Sequence, residues 1–466
     1  MSVLWTSDAM ETATLGRATR AFEAHGLSID TRSLRAGDLF VALKGDTRDG
    51  HGFVDRAFAA GAAAAMIARA PHGVSHDAPV LEVANTLRAL EDLGRAARAR
   101  SNARIAAVTG SAGKTTTKEM LRLALAAQGR VHASPASYNN HWGVPLSLAQ
   151  MPRESAFGVF EIGMNHFGEI RSLVGFVRPE VALVTTIAAA HLEYFGSLAA
   201  IADAKSEIFE GLGGSGAAIV PADNPCTERL AARARAAGVT RVFLFGEDAA
   251  SAGRLLSLSE TPEGPRIEAD ILGRRCRFRL GAPGAHLARN AVAALLAVTL
   301  LDGDVERAAA ALAGFSALKG RGARFALSLS GGTAEIIDET YNANPASMRA
   351  ALALLAGAQP GPGGRRVAVL GDMLELGVES PALHAALVQP LEEARADLVF
   401  ACGRDMRALF ERLPGSRRGG WGETSTDIAP ELLRSARAGD VILVKGSLGS
   451  RMAVILDALK SGGGAA

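Results

Sequence analysis

Lys114 and Thr115 follow a run of small residues, Thr109-Gly-Ser-Ala-Gly113, and open a stretch with no helix breaker. A lysine and a hydroxyl at that spacing suit phosphate chemistry: the ammonium reaches the β- and γ-phosphates, and the hydroxyl oxygen ligates Mg²⁺. Gly110, Ser111, Ala112 and Gly113 are small enough for backbone N–H groups to close around an anion. Ile105–Val108 form an apolar run of the kind a strand buried on both faces shows. Met120, Leu121, Ala124 and Leu125 recur at helical spacing between Thr115 and Ala127. Strand, turn and helix N-terminus together make a cradle for negative charge, because first-turn N–H groups lack partners and the helix dipole favours an anion. The stretch departs from G-x-x-x-x-G-K-[ST], since Val108 stands where the first glycine belongs. A glycine-rich turn with an ordinary surface lysine would carry similar letters. The Gly-Lys-Thr-Thr core in a strand–helix setting favours a nucleoside triphosphate site.

Other residues could serve the same site. Glu161 ends the run FGVFEIGMNH; at the carboxyl end of a second strand, its carboxylate would reach a Mg²⁺ held by Thr115. His191 and Glu193 follow the strand-like VALVTTI, which makes His191 either a structural histidine or a ligand. Lys205 lies among Ile201, Ala202, Ile208 and Phe209 on the apolar side of an expected helix. It either snorkels out of a packed face or, partly buried with a depressed pKa, acts chemically as a neutral amine. Only seven of the 50 basic residues are lysine, so positions that stay lysine invite a chemical reason. Asn290 would bond an adenine edge or satisfy local backbone. Asp338-Glu-Thr-Tyr-Asn-Ala-Asn-Pro345 packs polar groups at a strand end, which is costly without a ligand or a network.

The elements that must position these groups divide the chain into three α/β domains. Residues 1–100 read as a small N-terminal domain with strands at 38–43 and 63–68 and a helix over 85–100. Its loops Ser28–Arg32 and Lys44–His51 are dense in hydrogen-bonding groups beside strands. The alanine-rich run Ala57–Ala68 reads as a short helix rather than an anchor. Residues 101–318 form a central P-loop domain, whose apolar runs at 104–108, 156–162, 181–187, 217–220 and 241–245 alternate with helices, as in a mostly parallel sheet. Within it 251–280 reads as antiparallel strands and 284–301 as an apolar helix. Residues 319–466 repeat the pattern as a Rossmann-like domain. Strands are expected at 334–338, 367–371, 398–402 and 440–446, helices at 346–357, 382–395 and 429–437, and a frayed end at 462–466.

Apolar residues make up 48% and charged residues 21% of the 466, so sizeable cores can form, and a net charge of +2 gives no electrostatic case for nucleic acid or membrane. Cys226, Cys276 and Cys402 are widely spaced with no C-x-x-C pair, which argues against a disulfide framework or a structural zinc site and fits a reducing, cytoplasmic setting. No signal-peptide region or spanning apolar run is evident.

Taken together, TGSAGKTTTKEM (109–120), SYNNHWGVPLSL (137–148), FEIGMNHFGEI (160–170), AHLEYFGS (190–197), AKSEIF (204–209), DETYNANPASM (338–348), VLGDMLELG (369–377) and LVKGSLGSRM (443–452) resemble the ATP-dependent Mur ligases of peptidoglycan synthesis. The shortened phosphate loop is that family's form. The resemblance implies an ATP-dependent amide ligase that joins D-alanyl-D-alanine to UDP-N-acetylmuramoyl-tripeptide through an acyl phosphate. Another member, adding the third peptide residue or extending folate with glutamate, is the alternative, and a P-loop switch without ligation is a third reading. The implied cofactors are ATP and two Mg²⁺ ions. Gly110–Thr116 would hold ATP with Asn290, Arg321 and Asp338. Thr115 and Glu161 would bind one Mg²⁺, and His191 with Lys205 as a CO₂-derived carbamate the other. Lys114, Lys205 and His191 would be catalytic. Ser28, Thr31, Arg32, Asp46, Thr47, Asn139, Asn140, Asn342 and Asn344 would hold substrate. Leu287 departs from relatives that carry a second asparagine there. The expected protein is a cytoplasmic monomer without nucleic-acid or membrane partners.

Overall fold

The strand Arg104–Thr109 is buried from Ile105 onward and runs between two parallel neighbours, Phe157–Glu161 and Val181–Val184. In this computed structural model, which describes residues 2–70, 75, 77–135, 137–261, 264–329 and 331–463, it lies inside a nine-stranded sheet. Glu161 pairs with Val108 and Val184 with Thr109, so the three strands end together at one edge of the sheet. From Arg104–Thr109 the chain first builds outward to Val131–Ala133 and Phe157–Glu161, then returns to Val181–Val184 on the other side. Open α/β sheets bind ligands at such a reversal, outside the carboxyl ends of the strands. Beyond Ala217–Pro221 and Arg241–Gly246 the sheet finishes with Gly253–Ser259, Arg266–Ile271 and Arg274–Arg279, the last two joined antiparallel.

Two helices cover one face of this sheet, Lys114–Ala126 and Ala285–Leu300. Eleven of the sixteen residues of Ala285–Leu300 are buried, so it is an internal helix rather than an amphipathic surface one. Gly143–Ala149, Glu169–Val177 and Leu198–Ser206 contribute to the apolar layer on the opposite face.

The N-terminal domain has a five-stranded sheet in the order Arg17–Ala18, Val80–Glu82, Ala64–Ile67, Asp38–Val41, Gly26–Ser28, parallel except at its first pair. The expected helix over Ala57–Ala68 is not formed as one element. A helix Val54–Ala59 ends at Ala60, Gly61 turns the chain at φ +92°, and Ala64–Ile67 become a buried strand. Burial between strands outweighs the helical preference of alanine. Helix Thr86–Ala99 starts where the Asn85 side chain accepts from the Arg88 N–H. It packs on Gly143–Ala149 of the middle domain, and Trp5 Nε1 and Gln150 Nε2 donate across the same junction to the carbonyls of Ala149 and Leu27.

The third domain has a six-stranded sheet in the order Ala323–Leu329, Gly332–Glu339, Val441–Lys445, Arg366–Gly371, Leu398–Cys402, Arg418–Gly422. The outer strands Ala323–Leu329 and Arg418–Gly422, like Val131–Ala133 in the middle sheet, are absent from the sequence-based reading; edge strands carry weaker apolar patterns. The expected helix over 382–395 is broken into Ser380–Ala385 and Val388–Glu393, since Pro390 has no N–H for a bond four residues back. The helix expected at 429–437 begins earlier, at Ser425, where the Thr424 N–H donates to Asp427. Gly462 and Gly463 belong to the last helix, Ala453–Gly463, and 464–466 lie outside the described residues.

Gly94 faces Pro145 where the first two domains meet, and a Cβ there would sit 3.1 Å from the Pro145 carbonyl oxygen. Gly94→Leu should therefore lower the melting temperature, because overpacking costs about 1–3 kcal/mol and outweighs the roughly 1 kcal/mol gained in helix propensity. Gly175→Leu, on a helix with open space beside it, is the control that should not fall. Equal melting temperatures for the two variants would contradict the close junction.

Candidate functional site

The phosphate loop forms because its glycines take conformations other residues avoid. Gly110 has φ +149° and a Cβ there would fall 1.9 Å from Thr185 Oγ1; Gly113 has φ +81° and caps the helix that follows. The loop is tied down from the next strand end. Ser111 N–H donates to the Thr186 carbonyl, Ser111 Oγ to the Ala188 carbonyl, and Thr185 Oγ1 to the Ala112 carbonyl. No side chain caps the N-terminus of Lys114–Ala126, so that end is left to an anion. Lys114 Nζ donates to the Gly110 carbonyl at 2.7 Å, folded back along its own loop.

Around this loop lie buried oxygens without a hydrogen-bond partner among the described residues, namely Thr115 Oγ1 and Glu161 Oε2. Glu161 is 1% exposed, and its other oxygen accepts from Asn139 Nδ2 at 2.7 Å, which aims the carboxylate. A hydroxyl in the first turn of the helix and a carboxylate oxygen at the neighbouring strand end, both left open, fit a hard divalent cation whose remaining ligands are phosphate oxygens and water. Among the described residues no three His, Cys, Asp or Glu side chains cluster to hold a metal by themselves.

Lys205 is 1% exposed and lines the same cleft, so of the two readings the snorkelling one fails, and the side chain is more deeply buried than the other supposed. Burial pushes its amine well below the ordinary lysine range, and the charge on Lys114 adds to the effect. Burial also lowers Lys114, with Glu161 opposing the shift and Arg321 reinforcing it. Burial that disfavours the ammonium favours the free amine, which is the nucleophilic form.

The cleft, of about 1480 Å³, runs between the middle and third domains and is lined by Ser111–Thr116, Asn139, Asn140, Glu161, His191, Lys205, Asn290, Arg321, Asn342 and Asn344, among others. Asn290 packs against the phosphate loop itself: a Cβ on Gly113 would meet its amide at 2.9 Å. Asn140 accepts from the Gly143 N–H, and Asn342 from the Ala343 N–H, so both side chains shape their own loops. Arg321 stacks over Tyr341 with its guanidinium 4.0 Å from the ring centroid. Asn344 caps helix Pro345–Gly357 and donates across the domain junction to the Ser111 carbonyl at 3.1 Å. Asp338 is not on the cleft lining; its carboxylate accepts from the Gly320 N–H, the Thr340 N–H and the Thr340 hydroxyl, and so shapes the turn that carries Arg321. Ser28, Thr31, Arg32, Asp46 and Thr47 are also off this cleft, on the N-terminal domain, where Asp30 pairs with Arg32 and Ser28 Oγ donates to the Asp30 carbonyl.

Lys445 and His286 on the cleft lining, and Glu375 beside it, were missed as individuals. Lys445 is 1% exposed and donates to Glu339 Oε2 and the Asn342 carbonyl. His286, at the start of helix Ala285–Leu300, is held below the ordinary imidazole range by burial. Glu375, from the third domain, reaches His191 Nδ1 at 2.5 Å. The scarcity of lysine was a usable signal for Lys445; no comparable signal marked Glu375.

Three family models match successive parts of the chain: the Mur ligase family catalytic domain over residues 23–112, the Mur ligase middle domain over 108–298, and the Mur ligase glutamate ligase domain over 323–448. The chain is 37% identical over 443 residues to the UDP-N-acetylmuramoyl-tripeptide–D-alanyl-D-alanine ligase of Escherichia coli, covering 94% of each chain. The crystal structure of MurF from Acinetobacter baumannii superimposes with a TM-score of 0.84 at 30% identity, covering 98% of this chain and 99% of that one. MurF from Thermotoga maritima in complex with ADP gives 0.77 at 26% identity, with 94% and 98% covered.

Lys205→Met tests the buried neutral amine by stability alone. The unfolded chain protonates this amine below pH about 10.4, whereas the folded site resists the proton, so the unfolded state binds more protons and the lysine form gains stability as pH rises. In CO₂-free buffer the methionine variant should be the more stable at pH 7, with an advantage that shrinks towards pH 10. An advantage that is absent, or that grows with pH, contradicts this reading.

Proposed function

The chain belongs to the Mur ligase family, and from that premise we propose that it joins D-alanyl-D-alanine to UDP-N-acetylmuramoyl-tripeptide with conversion of ATP to ADP and phosphate. The observation that carries the ligase reading over a P-loop switch is the pairing of a phosphate loop with the buried, charge-suppressed Lys205 on one cleft. A switch has no use for such a lysine.

The muramoyl peptide's terminal carboxylate attacks the γ-phosphorus, forming a C(O)O–P bond as the bond to the β-phosphate oxygen breaks and ADP leaves. The dipeptide's amine then attacks the acyl carbon; a C–N bond forms, the C–O bond to phosphate breaks, and the amine gives up a proton. Lys114 and the uncapped helix N-terminus stabilise charge gathering on the transferring phosphoryl group, and the cleft holds carboxylate and amine in line. Thr115 and Glu161 would hold one Mg²⁺, and His191 with Lys205 the second; bound there, the ions neutralise phosphate oxygens. Lys205 serves as a carbamate: its neutral amine adds to CO₂, loses a proton, and becomes an anion with two oxygens. Arg321 and Asn344 bring the third domain to the nucleotide, with Asp338 setting the Arg321 turn. Ser28, Thr31, Arg32, Asp46 and Thr47, with Asn139 and Asn140, form the path of the UDP-sugar peptide from the N-terminal domain. Domain junctions fall near residues 100 and 318, and the working unit is a cytoplasmic monomer. Among the described residues no helix is long and apolar enough to cross a membrane.

ADP release measured with ATP, Mg²⁺ and UDP-muramoyl-tripeptide should require D-alanyl-D-alanine and should not be supported by glutamate or diaminopimelate as the amine donor. Lys114→Ala should lose about two to three orders of magnitude in kcat, the scale of removing one charge-stabilising donor, with its melting temperature kept. Turnover that ignores the dipeptide, or a Lys114→Ala variant with most of its rate, would contradict the assignment.

A further inference from the structure

We propose that Glu375, on the third domain, is a positioning residue for His191 on the middle domain, fixing the imidazole tautomer across the cleft; this rests on the ligase reading above, in which His191 serves a divalent cation. His191 Nδ1 lies 2.5 Å from Glu375 Oε2. Nδ1 is buried and has no other partner among the described residues, so Glu375 is the acceptor within its reach. With Nδ1 protonated toward the carboxylate, Nε2 keeps its lone pair and is the nitrogen left for a cation. Carboxylate–histidine pairs do this in metal sites generally.

The contact is built rather than incidental. His191 (φ +60°) and Glu375 (φ +63°) both hold the left-handed backbone conformation that residues with a Cβ seldom adopt. The Glu193 N–H donates to the Glu375 carbonyl at 3.0 Å, so the two loops are joined through backbone as well. Gly377 lets them close: a Cβ there would lie 3.3 Å from Glu193 Cα. The loop bearing Glu375 is anchored from behind by the fully buried His384, whose Nε2 accepts from the Met373 N–H. Ser447 Oγ accepts from the Leu374 N–H, and Asp372 Oδ1 accepts from the Met406 N–H. The third domain thus offers a fixed carboxylate to a residue of the middle domain, and docking of one domain on the other completes the geometry of His191.

The test uses full-length protein with ¹⁵N-labelled histidine, the His191 signals assigned by their loss in His191→Gln. In metal-free, substrate-free parent protein the ring shifts should report Nδ1–H. Glu375→Ala should move them toward the Nε2–H form, and Glu375→Gln, whose amide oxygen still accepts, should restore most of the parent pattern. Manganese binding, followed by electron paramagnetic resonance with a non-hydrolysable ATP analogue, should weaken about 10- to 100-fold for one ion in Glu375→Ala. In turnover the same variant should lose kcat with little change in KM for the dipeptide. Ring shifts and manganese affinity unchanged in Glu375→Ala would overturn the proposal. A parent protein without dipeptide-dependent ADP release would instead sink the ligase reading, while the ring shifts still decide the role of Glu375.

Discussion

A phosphate loop works only if the groups that face the anion are kept from satisfying themselves, and the rest of this structure serves that constraint. Thr115 Oγ1 and Glu161 Oε2 are buried without a hydrogen-bond partner among the described residues, and burial pushes the Lys205 amine well below the ordinary lysine range. Each such group costs folding free energy, on the order of 1–3 kcal/mol for an unmet hydrogen bond. The surrounding core offsets that cost: the flanking strands are buried on both faces, and the helix Ala285–Leu300 is internal along most of its length. The stability lies in the sheet and its helices, and the uncommitted polarity lies at the edge where three strands end together.

The same constraint explains why the third domain touches the middle one where it does. Asn344 spends one amide hydrogen on the Ser111 carbonyl, and Glu375 addresses Nδ1 of His191. Neither contact uses up an atom of the phosphate-facing set. Asp338 works one step further back, holding the Gly320 turn so that Arg321 can stack on Tyr341 at the cleft. The third domain therefore organises the site without blocking it.

The phosphate loop, Glu161 and Lys205 were legible in the sequence because their signals are local: a glycine spacing, a strand end, a lysine on an apolar face. The central strands were legible for the same reason, being unbroken apolar runs. The edge strands Val131–Ala133 and Arg418–Gly422 were not, since half their neighbours are solvent and their patterns are diluted. Over Ala57–Ala68 two expectations overlapped: the strand expected at 63–68 forms as Ala64–Ile67, while the helix expected over the whole run ends at Ala59, because alanine suits a helix only until neighbouring strands bury it. Full burial of Lys205 depends on packing that periodicity alone underestimates. Glu375 was out of reach in principle, since its partner is 184 residues away in another domain and nothing in DMLELG distinguishes a pairing carboxylate from a solvated one. The resemblance supplied roles for Asp338 and Asn290 that the local geometry refines: the first shapes a turn, and the second packs against the loop glycine.

The proposed carbamate on Lys205, whose amine burial pushes well below the ordinary lysine range on the phosphate-loop cleft, can be measured directly. The direct measurement is ¹³C NMR of the protein equilibrated with ¹³C-bicarbonate at neutral pH. The account predicts a protein-bound carbamate resonance that is missing from Lys205→Met. A parent protein that shows full dipeptide-dependent ADP release but no such resonance would contradict it.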